Sequence, residues 1–305
     1  MNKDNKIIPS NEECSKLPLI DLNQLNQGNL QRENCKKEMV KAAMEWGFFQ
    51  VVNHGVPSKV LESMRCEIVN MFREPFEKKS LNSEYRWGTP TATRLSDFSW
   101  SEAFHIPLDI VVLEGPLDTP RSTIKELVKI LFELAQKIAK ILGESSSCES
   151  NFFNESCLPS NSFIRMNRYP QCLIDDNVYG LVKHTDTNFL TILYQDQSVE
   201  GLQVAKDGIW VTVKPIPEAL IINVGDLFQS WSNGAYKSAE HRVMANRHTE
   251  RFSMAYFFCP TDNTVIESCK QPSVYRKFSF GEYKFQIMTD VKALGQKIGL
   301  DRFLL

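Results

Sequence analysis

Between residues 162 and 260 the chain is cut into short runs, "SFIRMNRY", "LTILYQ", "LQVAK", "IWVTVKPI", "ALIINVG", "HRVMAN" and "RFSMAYFFC", each rich in β-branched and aromatic residues and bounded by turn formers. Many short strands at close intervals predict a β-sandwich or barrel such as a jelly roll. Successive side chains on a strand point to opposite faces, so each run sends one row of residues inward. Helical periodicity flanks this region. It predicts helices over 31–46 and 57–72 with a short strand in "GFFQVVNHGVP" between them, and a long helix over 120–142 carried by Ile124, Leu127, Val128, Leu131, Leu134, Ile138, Ile141 and Leu142. The polar stretch 143–161 reads as a loop, and 281–305 as helix again with a break at Gly295.

Bulk properties exclude several function classes. The 305 residues carry 35 Lys plus Arg against 37 Asp plus Glu, a balance that gives no support to nucleic-acid or polyanion binding. The start, "MNKDNKIIPSNEEC", has no apolar core of a signal peptide, and no run approaches the roughly 18 apolar residues that span a bilayer. A soluble, cytoplasmic protein without a membrane partner is expected. Eight cysteines, at 14, 35, 66, 148, 157, 172, 259 and 269, are scattered without a C-x-x-C pair, which argues for reduced thiols over a structural zinc site.

Chemistry concentrates in "LVKHTDTNFLTIL", residues 181–193. On a strand, His184 and Asp186 share a face, so an imidazole and a carboxylate converge on one point. A lone His-x-Asp arises often by chance, and a third ligand is required. Of the five histidines, at 54, 105, 184, 241 and 248, only His241 opens a strand-like run in the same β-rich region. Two imidazoles and one carboxylate form the facial triad of non-haem Fe(II) oxygenases, which leaves coordination positions open for cosubstrate and dioxygen. A hydrolytic zinc site could use the same three residues.

A second feature separates these readings. "RFS" puts Arg251 and Ser253 on one strand face, where a guanidinium fork and a hydroxyl suit the distal carboxylate of 2-oxoglutarate. "NRYP" supplies Asn167 and Tyr169, again two apart, and the phenol is a further donor to that carboxylate. Taken singly, Arg251 reads as a surface ion pair, Tyr169 as a core aromatic and Asn167 as a turn former. A zinc hydrolase would leave "RFS" and "NRYP" without a task.

With these motifs in this order, the chain resembles the plant 2-oxoglutarate- and Fe(II)-dependent dioxygenases from about residue 16 onward. "LPLIDL", "WGFFQVVNHGVP", "NRYPQC", "HTD", "GLQV", "NVGDLFQSWSNG", "HRV" and "RFSMAYF" carry the resemblance. It implies an α+β fold: a double-stranded β-helix (jelly-roll) core with an N-terminal helical and mixed layer and a C-terminal helix. The corresponding regions are an N-terminal dioxygenase region at 16–142, the jelly roll at 160–262 and a C-terminal helical extension at 263–305. His184, Asp186 and His241 are expected on iron, and Arg251, Ser253, Tyr169 and Asn167 around 2-oxoglutarate. Dioxygen is the other cosubstrate and ascorbate a supporting reductant. His54, in "NHG", is expected in a structural turn and not on the metal.

The segment "YRWGTPTATRLSDFSWSEAFHIPL", residues 85–108, is similar to one that marks gibberellin 2-oxidases acting on twenty-carbon precursors. That likeness implies hydroxylation at carbon 2 of a diterpenoid acid, a hormone-inactivating step. Tyr85, Trp87, Phe98, Trp100 and Phe104 offer apolar walls, with Arg86 and Arg94 as cations for an acid; the alternative is that these aromatics pack the helical layer onto the barrel and the arginines are structural. The segment departs from the family pattern in carrying Arg94 and Asp97, and the stretch before Tyr85 is shorter. Auxin, jasmonate or flavonoid-type molecules, or non-catalytic binding of a small acid, are the alternative readings.

Overall fold

A computed structural model of the chain describes residues 16–89, 92, 94, 97–109, 119–146, 151–174 and 178–305. In chain order its strands are β1 (Leu19–Asp21), β2 (Phe48–Val52), β3 (Tyr85–Trp87), β4 (Glu102–Pro107), β5 (Phe163–Tyr169), β6 (Tyr179–His184), β7 (Leu190–Gln195), β8 (Leu202–Lys206), β9 (Ile209–Thr212), β10 (Leu220–Val224), β11 (His241–Met244), β12 (Arg251–Phe258), β13 (Val265–Ile266) and β14 (Phe278–Ser279). The helices are α1 (Asn29–Glu45), α2 (Ser58–Arg73), α3 (Phe76–Ser80), α4 (Thr119–Ser145), α5 (Phe152–Ser156), α6 (Asp226–Trp231) and α7 (Phe280–Leu294).

Two sheets face each other in the jelly roll that the strand pattern predicts. The larger has eight strands in the order β1-β2-β10-β7-β12-β5-β4-β3, and the smaller has four, β6-β11-β8-β9. Strands of the N-terminal part therefore extend the large sheet at both edges. At its centre β5 and β12 pair antiparallel from Tyr169↔Arg251 to Phe163↔Phe257.

Alternation along these two strands divides the molecule into layers. Ile164 and Met166 on β5, and Met254, Tyr256 and Phe258 on β12, are buried in the main core with Met64, Ile68 and Phe72 of α2 and Leu127, Leu131 and Ile138 of α4. Each fully buried Leu or Ile on that face contributes about 1.5–3 kcal/mol. The odd-numbered residues point the other way, into the space between the sheets. There a smaller cluster, including Phe48, Leu202, Val204 and Val243, packs around Tyr169.

Several local features differ from the sequence reading. Residues 152–156 of the expected loop form α5, because Phe153 is buried in an aromatic cluster with Phe189, Phe228 and Trp231. Cys269 is disulfide-bonded, which corrects the reduced-thiol expectation there; Cys35, Cys66, Cys157, Cys172 and Cys259 are free. The break at Gly295 is as expected: the residue caps α7 with φ of 73°, a left-handed conformation that glycine adopts without penalty. Among the described residues no helix is long and apolar enough to cross a membrane.

One glycine is demanded by close approach. Gly225 joins β10 to α6 against the loop after β6, and a Cβ there would lie 2.1 Å from the carbonyl oxygen of Asn188. Gly225→Ala must push that loop away, and overpacking of this kind costs about 1–3 kcal/mol. Urea denaturation should show the midpoint falling with an unchanged m-value.

Candidate active site

The open ends of β6 and β11 bring two histidines together. His241 pairs directly with His184 across the small sheet, and the ring centroids are 4.2 Å apart. Asp186 lies just beyond the end of β6, not within the strand, yet its Oδ1 is 3.7 Å from His184 Nε2 and 3.8 Å from His241 Nε2. The three potential ligand atoms all fall within 4.8 Å of one another.

Their orientation is set by hydrogen bonds. His184 Nδ1 is 2.9 Å from Val182 O and His241 Nδ1 is 3.2 Å from Ala239 O, so both Nε2 atoms are turned to the shared point. Thr191 Oγ1 and Asn223 Nδ2 donate to Asp186 Oδ2 at 2.7 and 2.8 Å, leaving Oδ1 for a metal. Such outer partners fix ligand geometry and tune affinity. Burial and the adjacent His241 push the His184 imidazole well below the usual histidine value, which favours the neutral form that binds a metal. Burial alone would raise Asp186, but His241 and His184, with the hydrogen bonds from Thr191 and Asn223, hold it below the ordinary carboxylate range.

Deeper between the sheets, Arg251 is 1% exposed. Its Nη2 donates to Gln195 Oε1 at 2.7 Å, while Nε and Nη1 are buried without a partner. It is therefore not the surface ion pair that its type alone would suggest. Burial lowers its pKa from the usual arginine value, and the guanidinium carbon is 5.2 Å from the centre of the Tyr169 ring. Unpartnered N–H donors on a buried cation suit a carboxylate, and Ser253 lies buried on the same strand face. The donor set and these orphaned nitrogens fit Fe(II) and 2-oxoglutarate respectively.

A cavity of about 290 Å³ joins the two sites, lined by His184, Asp186, His241, Tyr169, Arg251 and Ser253 among others. Arg165 also lines it, and sequence reasoning missed this residue. Its Nε donates to Asn167 Oδ1 at 2.9 Å, so Asn167 orients a second guanidinium. The signal was available: 165, 167 and 169 share one strand face by alternation. His105 lines the cavity as well, although no ligand spacing marks it. In the segment 85–108 the packing alternative holds for two of the aromatics. Tyr85 and Phe104 are buried in the main core and pack on each other at 5.2 Å, Arg86 Nη1 donates to Tyr85 O, and Arg94 is exposed. Of the described residues in that segment, His105 alone faces the cavity. His54 is held in its turn, with Nε2 2.7 Å from Glu218 O and Nδ1 accepting from Val56 N.

His184→Ala, Asp186→Ala and His241→Ala are each expected to lose tight divalent-metal binding while keeping the far-ultraviolet circular dichroism of the parent. Anaerobic Fe(II) titration of each purified variant measures this; parent-like affinity in any one would remove that residue from the centre.

Comparison with known proteins agrees with this geometry. Residues 160–260 match the model of the 2OG-Fe(II) oxygenase superfamily, and residues 17–122 match that of the non-haem dioxygenase in morphine synthesis N-terminal region. The chain is 51% identical over 294 residues to gibberellin 2-beta-dioxygenase 8 of Arabidopsis thaliana, covering 94% of this chain and 87% of that protein. It is 45% identical over 303 residues to gibberellin 2-beta-dioxygenase 6 of Oryza sativa subsp. japonica, covering 94% and 84%. The crystal structure of JOX2 in complex with 2OG, Fe and JA superposes with a TM-score of 0.77 at 32% identity, covering 88% of this chain and 84% of that one. The chain belongs to the 2OG-Fe(II) oxygenase superfamily, in the branch that holds the gibberellin 2-beta-dioxygenases, and is a 2-oxoglutarate- and Fe(II)-dependent dioxygenase.

Proposed function

We propose that this dioxygenase hydroxylates a gibberellin at carbon 2, with twenty-carbon precursors preferred over nineteen-carbon hormones. In this reading His184, Asp186 and His241 hold Fe(II), and Arg251, Ser253 and Tyr169 hold the distal carboxylate of 2-oxoglutarate. The relatives named above support the substrate class. Within this chain, the observation that carries it is Arg165, a second cation on the cavity wall beside the metal-ligand cluster.

Bound Fe(II) with 2-oxoglutarate supplies oxidation by dioxygen, the cosubstrate leaving as succinate and carbon dioxide. The chain's own residues decide what is oxidised. Arg251 is buried with Nε and Nη1 unpartnered among the described residues, so it has donors to give the distal carboxylate of the cosubstrate. Thr191 and Asn223 occupy one oxygen of Asp186, which fixes the side from which it can bind metal. Asn167 steadies Arg165, whose terminal nitrogens are free to receive a substrate carboxylate. Phe163, Leu181 and Phe257 supply the apolar walls for the hydrocarbon frame. A rigid diterpenoid pinned at its acid end and enclosed by these walls offers one carbon to the metal. Regiochemistry is therefore a matter of positioning.

Two outcomes test this reading. Arg251→Ala should raise the KM for 2-oxoglutarate roughly 30-fold or more, the equivalent of about 2 kcal/mol for a truncated buried charge partner. Arg165→Ala should raise the KM for the diterpenoid acid and relax the position of hydroxylation, with the KM for 2-oxoglutarate little changed. The deciding experiment incubates the enzyme with gibberellins of both sizes, Fe(II), ascorbate and 2-oxoglutarate, with products read by mass spectrometry. Absence of product with both sizes, alongside turnover of jasmonate, auxin or a flavonoid, would overturn the gibberellin assignment and leave the dioxygenase chemistry intact.

A further inference from the structure

The residue between two of the metal-ligand positions, Thr185, is gripped from a distant part of the chain. After α7 the left-handed turn at Gly295 carries the chain back toward the cavity, and Lys297 reaches the loop that follows β6. Its Nζ donates to Thr185 O at 2.9 Å, to Thr185 Oγ1 at 2.8 Å and to Asp226 Oδ2. An ammonium has three N–H bonds, and all three are used.

Asp226 is the hub of the same arrangement. Its side chain is 4% exposed, and its Oδ2 also accepts from Tyr283 OH at 2.6 Å and from Thr185 Oγ1 at 3.2 Å. Oδ1 accepts from Ser238 Oγ at 2.6 Å. The backbone N–H of Asp226 donates to Asp186 O at 2.8 Å. The segment His184-Thr185-Asp186 is thus held at two successive carbonyls, by Lys297 at Thr185 and by Asp226 at Asp186. Neither group touches the shared point of the ligand atoms.

We propose that Lys297 is a positioning residue for the metal centre, acting through Thr185 and Asp226 to hold the loop between His184 and Asp186 in its ligating shape. Because β6 ends at His184, the ladder that orders the two histidines stops short of Asp186; Thr191 and Asn223 hold its Oδ2, but the backbone between the two ligands lies outside the ladder. The Lys297–Asp226 pair supplies the missing constraint. Its charges neutralise each other in a buried place, so the pair adds rigidity without adding net charge beside the ligands. The proposal rests on the reading of His184, Asp186 and His241 as metal ligands.

The test is Co(II) titration of the intact metal-free protein, followed by visible absorption, in parallel with thermal unfolding. Lys297→Met is expected to weaken Co(II) binding by about tenfold or more, in the range seen for outer-sphere substitutions, with an altered absorption envelope. Tyr236→Phe removes a buried hydrogen bond to Leu142 O, a group that makes no bond to Lys297, Thr185 or Asp226, and serves as the structural control. It should lower thermal stability and leave Co(II) affinity unchanged. Should Lys297→Met fail to fold, Thr185→Val deletes the hydroxyl that accepts from Nζ and should still weaken Co(II) binding. Affinity within twofold of the parent in a folded Lys297→Met, or in Thr185→Val when Lys297→Met does not fold, would overturn the proposal. Failure of the parent protein itself to bind Co(II) would instead overturn the ligand assignment.

Discussion

The register between β5 and β12 governs everything else in the molecule. Tyr169 stands opposite Arg251, Asn167 opposite Ser253, and Arg165 opposite Ala255. Side chains repeat every two residues on a strand, so a slip of one residue would carry this whole row into the layer under the helices. Such a slip would bury two guanidinium groups among Leu and Phe. The register is secured by the opposite row, where Met166, Met254, Tyr256 and Phe258 are all but fully buried. Hydrophobic packing on one face of the sheet thereby places the polar chemistry on the other, and the small Ala255 leaves room beside Arg165.

Charge in the cavity is unbalanced by construction. Arg251 and Arg165 face it with Asp186 as the described carboxylate on its wall, and Asp186 is flanked by the imidazoles of His184 and His241. A buried donor without an acceptor costs about 1–3 kcal/mol. A carboxylate bound at Arg251 supplies the acceptor that its Nε and Nη1 lack among the described residues. Cosubstrate binding is coupled to stability for this reason, since anything that binds the native state alone raises the free energy of unfolding. The aromatic and ionic packing of β3 and β4 plays a different part. Glu102 binds Lys79, Tyr85 and Arg168, and Arg168 binds Glu250, so the hairpin is fastened to the back of the sheet.

Much of the site was legible in the sequence because its signals are local and rare. With five histidines in 305 residues, His184 and His241 stand out, and a period of two links Arg251 to Ser253 and Asn167 to Tyr169. What escaped was either non-local or hidden by a motif boundary. Asn223 and Thr191 hold Asp186 from β10 and β7, neighbours only once the sheet has formed. Arg165 lies one alternation before the "NRYP" motif, on the same face. Composition left two sides open for the aromatics of 85–108, substrate wall or packing under the helices, and Tyr85 and Phe104 turn to the helices. The helix over 152–156 exists because Phe153 has an aromatic pocket to fill, a tertiary fact that its polar flanks conceal.

Synthesis proceeds from the amino end, and the grip of Lys297 on Thr185 therefore has an order in time. A growing chain exposes His184, Asp186 and finally His241, a complete donor set, while residue 297 has yet to be joined. Until α7 packs and the turn at Gly295 swings the lysine home, the loop after β6 is held by Asp226, Thr191 and Asn223 without Lys297. If Lys297 positions the loop as proposed, firm metal binding waits on the docking of the C-terminal helix, and possession of the metal becomes a report that the chain following the jelly roll has found its place.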